Sequence, residues 1–142
     1  MSTSPTLATS EGTFSMAKKI LIVDDNEHLR QILASILRFS GYEISEAATG
    51  TQAIEKAVST KPNLILLDLD LPDMTGADAA QAICKDQRTA GIPIVGCSAF
   101  LGLEWREVAL RAGMVDYLEK PISAAAIEAV VEQLILSENA AA

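Results

Sequence analysis

The chain has 142 residues, which suits one domain with a buried core, and its 49% apolar and 21% charged residues are ordinary for a globular protein. Its formal net charge of -8 argues against direct binding to nucleic acid or to an anionic membrane, because both require a basic surface. The sequence shows no secretory signal, no paired cysteines and no apolar run near the roughly 20 residues that span a bilayer, so we expect a cytoplasmic protein.

The two ends of the chain differ in composition from the part between them. Residues 1–16 are rich in serine and threonine and end at a second methionine, so we expect a disordered leader or a remnant of cloning. We expect one domain over residues 17–137, followed by a short disordered tail over residues 138–142.

Short apolar runs alternate with segments of helical spacing throughout the domain. The runs that predict strands are, in chain order, "ILIV", "YEISEA", "NLILLD", "IPIVGCSA" and "DYLEK". A helix is predicted after each of them, from "EHLRQILASILRFSG" after the first to "SAAAIEAVVEQLIL" after the fifth. Wholly apolar runs are typical of strands that are buried on both faces of a sheet. Strict alternation therefore predicts an α/β fold in which helices cover both faces of a parallel sheet.

Polar residues stand at the carboxyl ends of four predicted strands, where sheets of this kind form their binding sites. The pair Asp24 and Asp25 ends the first strand, Asp68 the third, Ser98 the fourth and Lys120 the fifth. Three carboxylates at one edge repel one another, and a single lysine leaves an excess of negative charge. Mg²⁺ is the natural counterion, because it prefers carboxylate, carbonyl and water oxygens.

An edge that holds a metal ion and a lysine suits an incoming phosphoryl group. The metal and Lys120 can hold two of its oxygens, and the Ser98 hydroxyl with a nearby backbone N–H can hold the third. A carboxylate in such a place can act as the nucleophile and form an aspartyl phosphate.

Four segments of the chain carry a family resemblance. Together, "ILIVDDN", "LILLDLDLPDMTG", "PIVGCSA" and "DYLEKP" resemble the receiver domain of bacterial two-component response regulators, most of all the single-domain chemotaxis regulators. The resemblance covers roughly residues 18–136. It implies the flavodoxin-like fold with strand order 2-1-3-4-5. It also implies a signalling protein rather than an enzyme, one that takes part only in its own phosphorylation and slow autodephosphorylation.

The resemblance assigns a role to each polar residue at the predicted edge. Asp68 corresponds to the phosphoacceptor, and Lys120 and Ser98 correspond to the lysine and the hydroxyl that contact the phosphoryl group. The implied ligands of Mg²⁺, or of Mn²⁺ in its place, are the carboxylates of Asp24, Asp25 and Asp68 and the main-chain carbonyl of Asp70.

A second group of residues corresponds to the switch of the family. Ser98 matches the hydroxyl that responds to phosphorylation, and Tyr117 matches an aromatic side chain that fills the space it leaves. The implied neighbours of the phosphoryl group are Ala99, Phe100 and Pro121, and in similar proteins the proline follows the lysine through a cis bond.

The resemblance also implies the partners. A phosphohistidine of a sensor histidine kinase or a phosphotransfer protein would donate its phosphoryl group to Asp68, with Mg²⁺ required. The face formed by the fourth helix, fifth strand and fifth helix would then repack and bind a downstream effector or a second copy of the domain. Trp105, on the fourth helix, suits either an interface anchor or the core. No DNA-binding segment follows the last helix, and both a stand-alone regulator and an excised domain fit the sequence.

The chain departs from the commoner receiver pattern near the acceptor. Asp70 stands where many receivers carry an uncharged residue, and the bulky Phe100 stands two positions after Ser98. Gly96 and Cys97 occupy places where larger aliphatic residues are usual. We hypothesise that the Asp70 side chain adds negative charge at the mouth of the pocket; the alternative is a solvent-facing carboxylate that contributes only its carbonyl.

Two other functions are compatible with parts of the sequence. The first is a phosphorylation-independent interaction module on a receiver scaffold, which the unusual Asp70 favours and the retained acids and lysine oppose. The second is a haloacid-dehalogenase-type phosphatase, because Asp68-Leu69-Asp70 reads as a DxD motif. In that family the motif lies on the first strand and the other metal-binding acids come late in the chain, which is the reverse of the order here.

Overall fold

The structure is a computed structural model that describes residues 17–99 and 102–141, with side chains described as far as Leu136. Phe100 and the predicted leader, residues 1–16, lie outside the described residues. Five strands and five helices alternate as the sequence predicted. Their bounds are β1 Lys19–Val23, α1 Glu27–Phe39, β2 Glu43–Ala47, α2 Gly50–Thr60, β3 Leu64–Asp68, α3 Gly76–Lys85, β4 Ile94–Ser98, α4 Leu103–Arg111, β5 Asp116–Glu119 and α5 Ala124–Ala141.

The five strands form one parallel sheet with the order β2-β1-β3-β4-β5, which confirms the predicted flavodoxin-like topology. The register brings the ends of the inner strands to one edge. Val23 lies beside Leu67, and Asp68 lies beside Cys97. Since all the strands run the same way, their carboxyl ends lie at the same edge of the sheet.

Each face of the sheet is buried beneath helices. Alternate side chains of β1 show the division, because Ile20 and Ile22 contact the cluster that includes α1 and α5, whereas Leu21 and Val23 contact the cluster that includes α2, α3 and α4. All four are at most 1% exposed. Burial of one such side chain stabilises the fold by roughly 1.5–3 kcal/mol, so apolar strands of this kind fix the position of the polar residues that follow them.

The last helix is longer than its apolar periodicity indicates. It extends to Ala141, so its backbone includes most of residues 138–142, where we expected a tail. Alanine has the highest helix propensity of the residues, which favours this continuation. In the part of the chain that the structure describes, none of the helices is both long and apolar enough to cross a membrane.

Candidate functional site

A cleft of about 200 Å³ lies at the carboxyl edge of the sheet, and most of the predicted site residues line it. The structure brings together in this cleft the side chains of Asp24, Asp25, Asp68, Asp70, Ser98 and Lys120. Asn26 and Ala99 complete the lining. The positions of strand ends predicted that Asp24, Asp25, Asp68, Ser98 and Lys120 would meet, and the family resemblance added Asp70 and Ala99.

Three of the carboxylates lie close enough to share one cation. Asp24, Asp25 and Asp68 each offer one oxygen, and these oxygens lie within 4.8 Å of one another. Asp24 is 3% exposed and Asp68 is 5% exposed, whereas Asp25 is exposed. Two buried carboxylates and a third beside them destabilise the fold unless positive charge compensates them.

Lys120 supplies part of that compensation. Its ammonium group lies 2.8 Å from the Asp24 carboxylate and 3.4 Å from the Asp68 carboxylate. Burial lowers the pKa of Lys120, but its bond to Asp24 and the charges of both aspartates raise it more, so that the pKa lies above its usual value. The lysine is therefore charged at neutral pH, and it neutralises one of the three negative charges.

Burial and the remaining negative charge both act on Asp68. Burial and, next, the negative charge of Asp24 raise the pKa of Asp68 to about 6. The charge of Lys120 and the backbone N–H of Asp70, which lies 3.3 Å from Asp68 Oδ1, lower it by less. A raised pKa of this origin marks a place where an added cation would bind favourably.

The donor set fits Mg²⁺. Three carboxylates provide the hard oxygen ligands that this ion prefers. The cleft has no soft ligand among its described lining residues, since Cys97 is buried beneath it and the pKa of its thiol is raised to about 12, chiefly by burial.

The loop after Asp68 returns tightly to β3. Asp70 pairs with Thr75 in an isolated antiparallel bridge, and the N–H of Gly76 donates to the carbonyl of Leu69 at 2.8 Å. A Cβ at Gly76 would lie 2.4 Å from the carbonyl oxygen of Asp68, so only glycine allows this approach. The Asp70 side chain is exposed at the rim of the cleft.

Two residues that the sequence analysis did not single out position Asp24. The N-cap of α1 is Asn26, whose backbone N–H donates to Asp24 Oδ1 at 2.8 Å. Arg30 donates to the main-chain carbonyl of Asp24 at 2.7 Å and forms an ion pair with Glu46 of β2 at 2.9 Å. The helix cap is therefore Asn26 and not Asp24. The Oδ2 atom of Asp24 pairs with Lys120. The asparagine directly before a helical run was a signal for the cap.

The switch residues lie apart from one another around β4. Ser98 is 1% exposed and lines the cleft, while Tyr117 is 5% exposed, lies outside it and packs beside Gly96 of β4. A Cβ at Gly96 would lie 2.6 Å from Met114 Sδ and 3.4 Å from Tyr117 Cδ1. The unusual glycine therefore makes room for these two side chains.

The remaining predicted residues take different places. Ala99 is exposed in the cleft, and Pro121 is exposed and follows Lys120 through a cis peptide bond. Trp105 is half-buried on α4 and packs against the core. It borders a separate, largely apolar cavity of about 300 Å³ that also reaches Asp70.

Comparisons with known proteins point to one family. Residues 20–132 match the family model described as response regulator receiver domain. The chain is 37% identical over 107 residues to the chemotaxis protein CheY of Thermotoga maritima, an alignment that covers 75% of this chain and 88% of that protein. It is 39% identical over 108 residues to the phosphate regulon transcriptional regulatory protein PhoB of Pseudomonas aeruginosa, which covers 76% of this chain but 47% of that protein.

A solved structure shows the same fold. The receiver domain of a sensor histidine kinase from Pseudomonas aeruginosa PAO1 superimposes with a TM-score of 0.78 and 32% identity, covering 84% of this chain and 98% of that one. In that structure a magnesium ion is coordinated in the active site cleft.

Proposed function

The chain belongs to the response regulator receiver domain family, and we propose that it is a phosphorylatable receiver in which Asp68 accepts a phosphoryl group from a phosphohistidine of a histidine kinase or a phosphotransfer protein. One observation carries the proposal: the Asp68 carboxylate meets two further carboxylates within 4.8 Å and the Lys120 ammonium at 3.4 Å. This combination provides a nucleophile, a cation site and a fixed positive charge in one cleft.

Asp24, Asp25 and Asp68, with the main-chain carbonyl of Asp70, are the residues that would hold Mg²⁺, or Mn²⁺ in its place. When bound, the metal would supply positive charge that offsets the negative charge of a phosphoryl group. The protein's own contribution is to hold the acids close together. Asn26 and Arg30 do this for Asp24, and the tight return of the loop at Gly76 does it for the end of β3.

In the proposed transfer, a carboxylate oxygen of Asp68 attacks the phosphorus atom, and an O–P bond forms as the N–P bond of the donor breaks. The histidine nitrogen keeps the electron pair of that bond and takes up a proton from solvent. Lys120 already lies beside Asp68, so a small movement of its ammonium group lets it pair with a phosphoryl oxygen. Hydrolysis by water would later restore the carboxylate, which makes the protein a signalling module and not an enzyme with a separate substrate.

The output is proposed to leave through α4, β5 and α5. Phosphorylation draws the Ser98 hydroxyl towards the new oxygens, and Tyr117 moves into the space that it leaves. Tyr117 also lines a groove of about 430 Å³ between α4 and β5, beside Arg106 and Leu103, and the latter is 79% exposed. A downstream effector protein or a second copy of the chain would bind there. We place the protein in the cytoplasm, without direct contact to nucleic acid or membrane.

Mass spectrometry after incubation with acetyl phosphate or phosphoramidate and Mg²⁺ tests the proposal. We expect a gain of one phosphoryl group that is absent without Mg²⁺ and absent in Asp68→Asn. A protein that gains no phosphoryl group under either donor would instead be an interaction module that acts without phosphorylation, which the exposed Asp70 carboxylate favours. The family match argues against the haloacid-dehalogenase alternative.

A further inference from the structure

Asp73 connects the loop between β3 and α3 to the beginning of α2. Its Oδ1 accepts from the N–H of Gly50 at 2.8 Å, and its Oδ2 accepts from the N–H of Thr51 at 2.9 Å and from the Thr51 hydroxyl at 2.8 Å. The N–H groups of Thr51 and Gly50, followed by the Thr51 hydroxyl, lower the pKa of Asp73 to about 2. The carboxylate is therefore ionised at neutral pH.

These bonds complete the N-terminus of α2. The first N–H groups of a helix have no partner within the helix and attract negative charge. Asp73 accepts from Gly50 and Thr51, and the N-cap Thr49 accepts from the next N–H, that of Gln52, at 3.0 Å. The partners of Asp73 precede it by 22 and 23 residues. Asp73 is therefore a cap supplied by a distant loop.

The neighbouring residue strengthens this contact. Met74 packs directly over Gly50, where a Cβ would lie 2.3 Å from Met74 Cγ. Two successive residues of the loop, Asp73 and Met74, thus rest on one helix turn, by hydrogen bonds and by packing respectively. The apex of the loop has a fixed position relative to α2.

The base of the same loop carries the metal-site carbonyl. Asp70 and Thr75 pair across the base, and the N–H of Gly76 donates to the carbonyl of Leu69 just outside that pair. With its base closed and its apex attached to α2, the loop has little freedom to shift the main chain of Asp70. Release of the apex would leave that main chain held from one side only.

From this geometry, and resting on the proposed role of the Asp70 carbonyl as a Mg²⁺ ligand, we propose that Asp73 is a positioning residue for the metal site. Its bonds to α2 hold the loop that places Asp70 in the lining of the cleft. Removal of a group that orients a metal ligand commonly lowers the affinity for the metal, even though that group does not touch the ion.

The test is a Mg²⁺ titration of the full chain followed by ¹H–¹⁵N NMR. The amide signals of Asp25 and Asp70 report the dissociation constant, and the dispersion of the spectrum reports the fold. We expect Asp73→Ala to raise the Mg²⁺ dissociation constant about tenfold, near the lower end for loss of a supporting group. Thr51→Val removes one of the three hydrogen bonds to Asp73 and changes the protein less than Asp73→Ala does. It should therefore give a smaller rise in the Mg²⁺ dissociation constant.

Two matched variants separate positioning from simpler effects. Thr49→Ala removes the neighbouring cap bond of α2 without touching the loop, so it should lower the melting temperature and leave Mg²⁺ affinity unchanged. Asp78→Asn removes an exposed negative charge at the start of α3 and controls for the loss of charge.

The outcomes are distinct. A rise in dissociation constant for Asp73→Ala and Thr51→Val, but for neither control, supports the proposal. An unchanged constant for Asp73→Ala, or an equal rise for Thr49→Ala or Asp78→Asn, overturns it while the proposed function stands. The absence of any Mg²⁺-dependent shift in the unsubstituted protein overturns the metal site itself, and this inference with it.

Discussion

The ammonium group of Lys120 lies 2.8 Å from the carboxylate of Asp24, a residue 96 positions earlier in the chain. The lysine approaches Asp68 less closely, at 3.4 Å. The cation therefore pairs mainly with a proposed metal ligand, and the proposed nucleophile stays buried with incomplete compensation. Much of the behaviour expected of the site follows from this unequal sharing.

The first prediction concerns the stability of the metal-free protein. Asp68 has a pKa of about 6 in the folded state against an ordinary value near 3.8. Since the folded pKa is the higher one, the protonated carboxyl favours folding below pH 4, and this contribution is lost as the pH rises through 6. Asp68→Asn, which cannot ionise, should therefore have a free energy of unfolding about 3 kcal/mol higher than that of the unsubstituted protein at pH 7.

Urea unfolding in EDTA at pH 4, 5, 6 and 7 checks this expectation. The difference between Asp68→Asn and the unsubstituted protein should grow with pH and level off above pH 7. A difference that is the same at every pH would show that the substitution acts through lost packing or a lost ion pair. The pKa of Asp68 would then not be raised in the folded protein.

The second prediction concerns the metal. Mg²⁺ at one hundred times its dissociation constant should raise the free energy of unfolding by about 2.7 kcal/mol, because it binds only the folded site. Asp25→Asn should abolish most of this gain while leaving the metal-free stability nearly unchanged, since Asp25 is exposed. Asp24→Asn should lower the metal-free stability as well, because Lys120 loses its closest partner.

Melting curves with MgCl₂, and with KCl of equal ionic strength as the control, measure both effects. If KCl stabilises the protein as much as MgCl₂ does, the acids act through general screening and hold no specific ion.

Local patterns were sufficient to predict a parallel α/β sheet and the meeting of its strand ends, whereas the strand order came from the family resemblance. An apolar run that ends in a polar residue marks the end of a buried strand, and in a parallel sheet those ends must meet. Asp68 and Lys120 could be placed together on this basis without any knowledge of the loops between them.

Contacts that depend on how loops pack could not be predicted in this way. An aspartate after a proline in a turn commonly forms local hydrogen bonds, but the partners of Asp73 are Gly50 and Thr51 at the start of α2. The space that Gly96 leaves for Met114 could not be predicted from the sequence either. It depends on residues of the adjacent strand β5 and of the loop that precedes β5. Local rules give no information on such pairs.

The third prediction follows from that packing. Gly96→Val should lower the free energy of unfolding by about 1–3 kcal/mol, because its side chain would overlap Met114 and crowd Tyr117. In a Met114→Ala background the same substitution should cost less, since the overlap is removed. Gly91→Ala, at a position with open space around it, is the control and should change stability by no more than about 0.5 kcal/mol. Equal costs of Gly96→Val in both backgrounds would contradict the proposed overlap.

The fourth prediction concerns the exposed carboxylate of Asp70. It stands at the rim of a cleft that already holds three other carboxylates, so it should repel an anionic phosphodonor. One unit charge about 4 Å away in water contributes on the order of 1 kcal/mol, which corresponds to roughly a fivefold change in rate.

Asp70→Asn should accordingly be phosphorylated by acetyl phosphate about fivefold faster at low salt, and the advantage should shrink as salt screens the charge. Time courses by mass spectrometry at two ionic strengths measure this, with Asp78→Asn as a variant that removes a charge outside the cleft. Equal rates for Asp70→Asn and the unsubstituted protein at both ionic strengths would leave Asp70 with a role for its carbonyl alone.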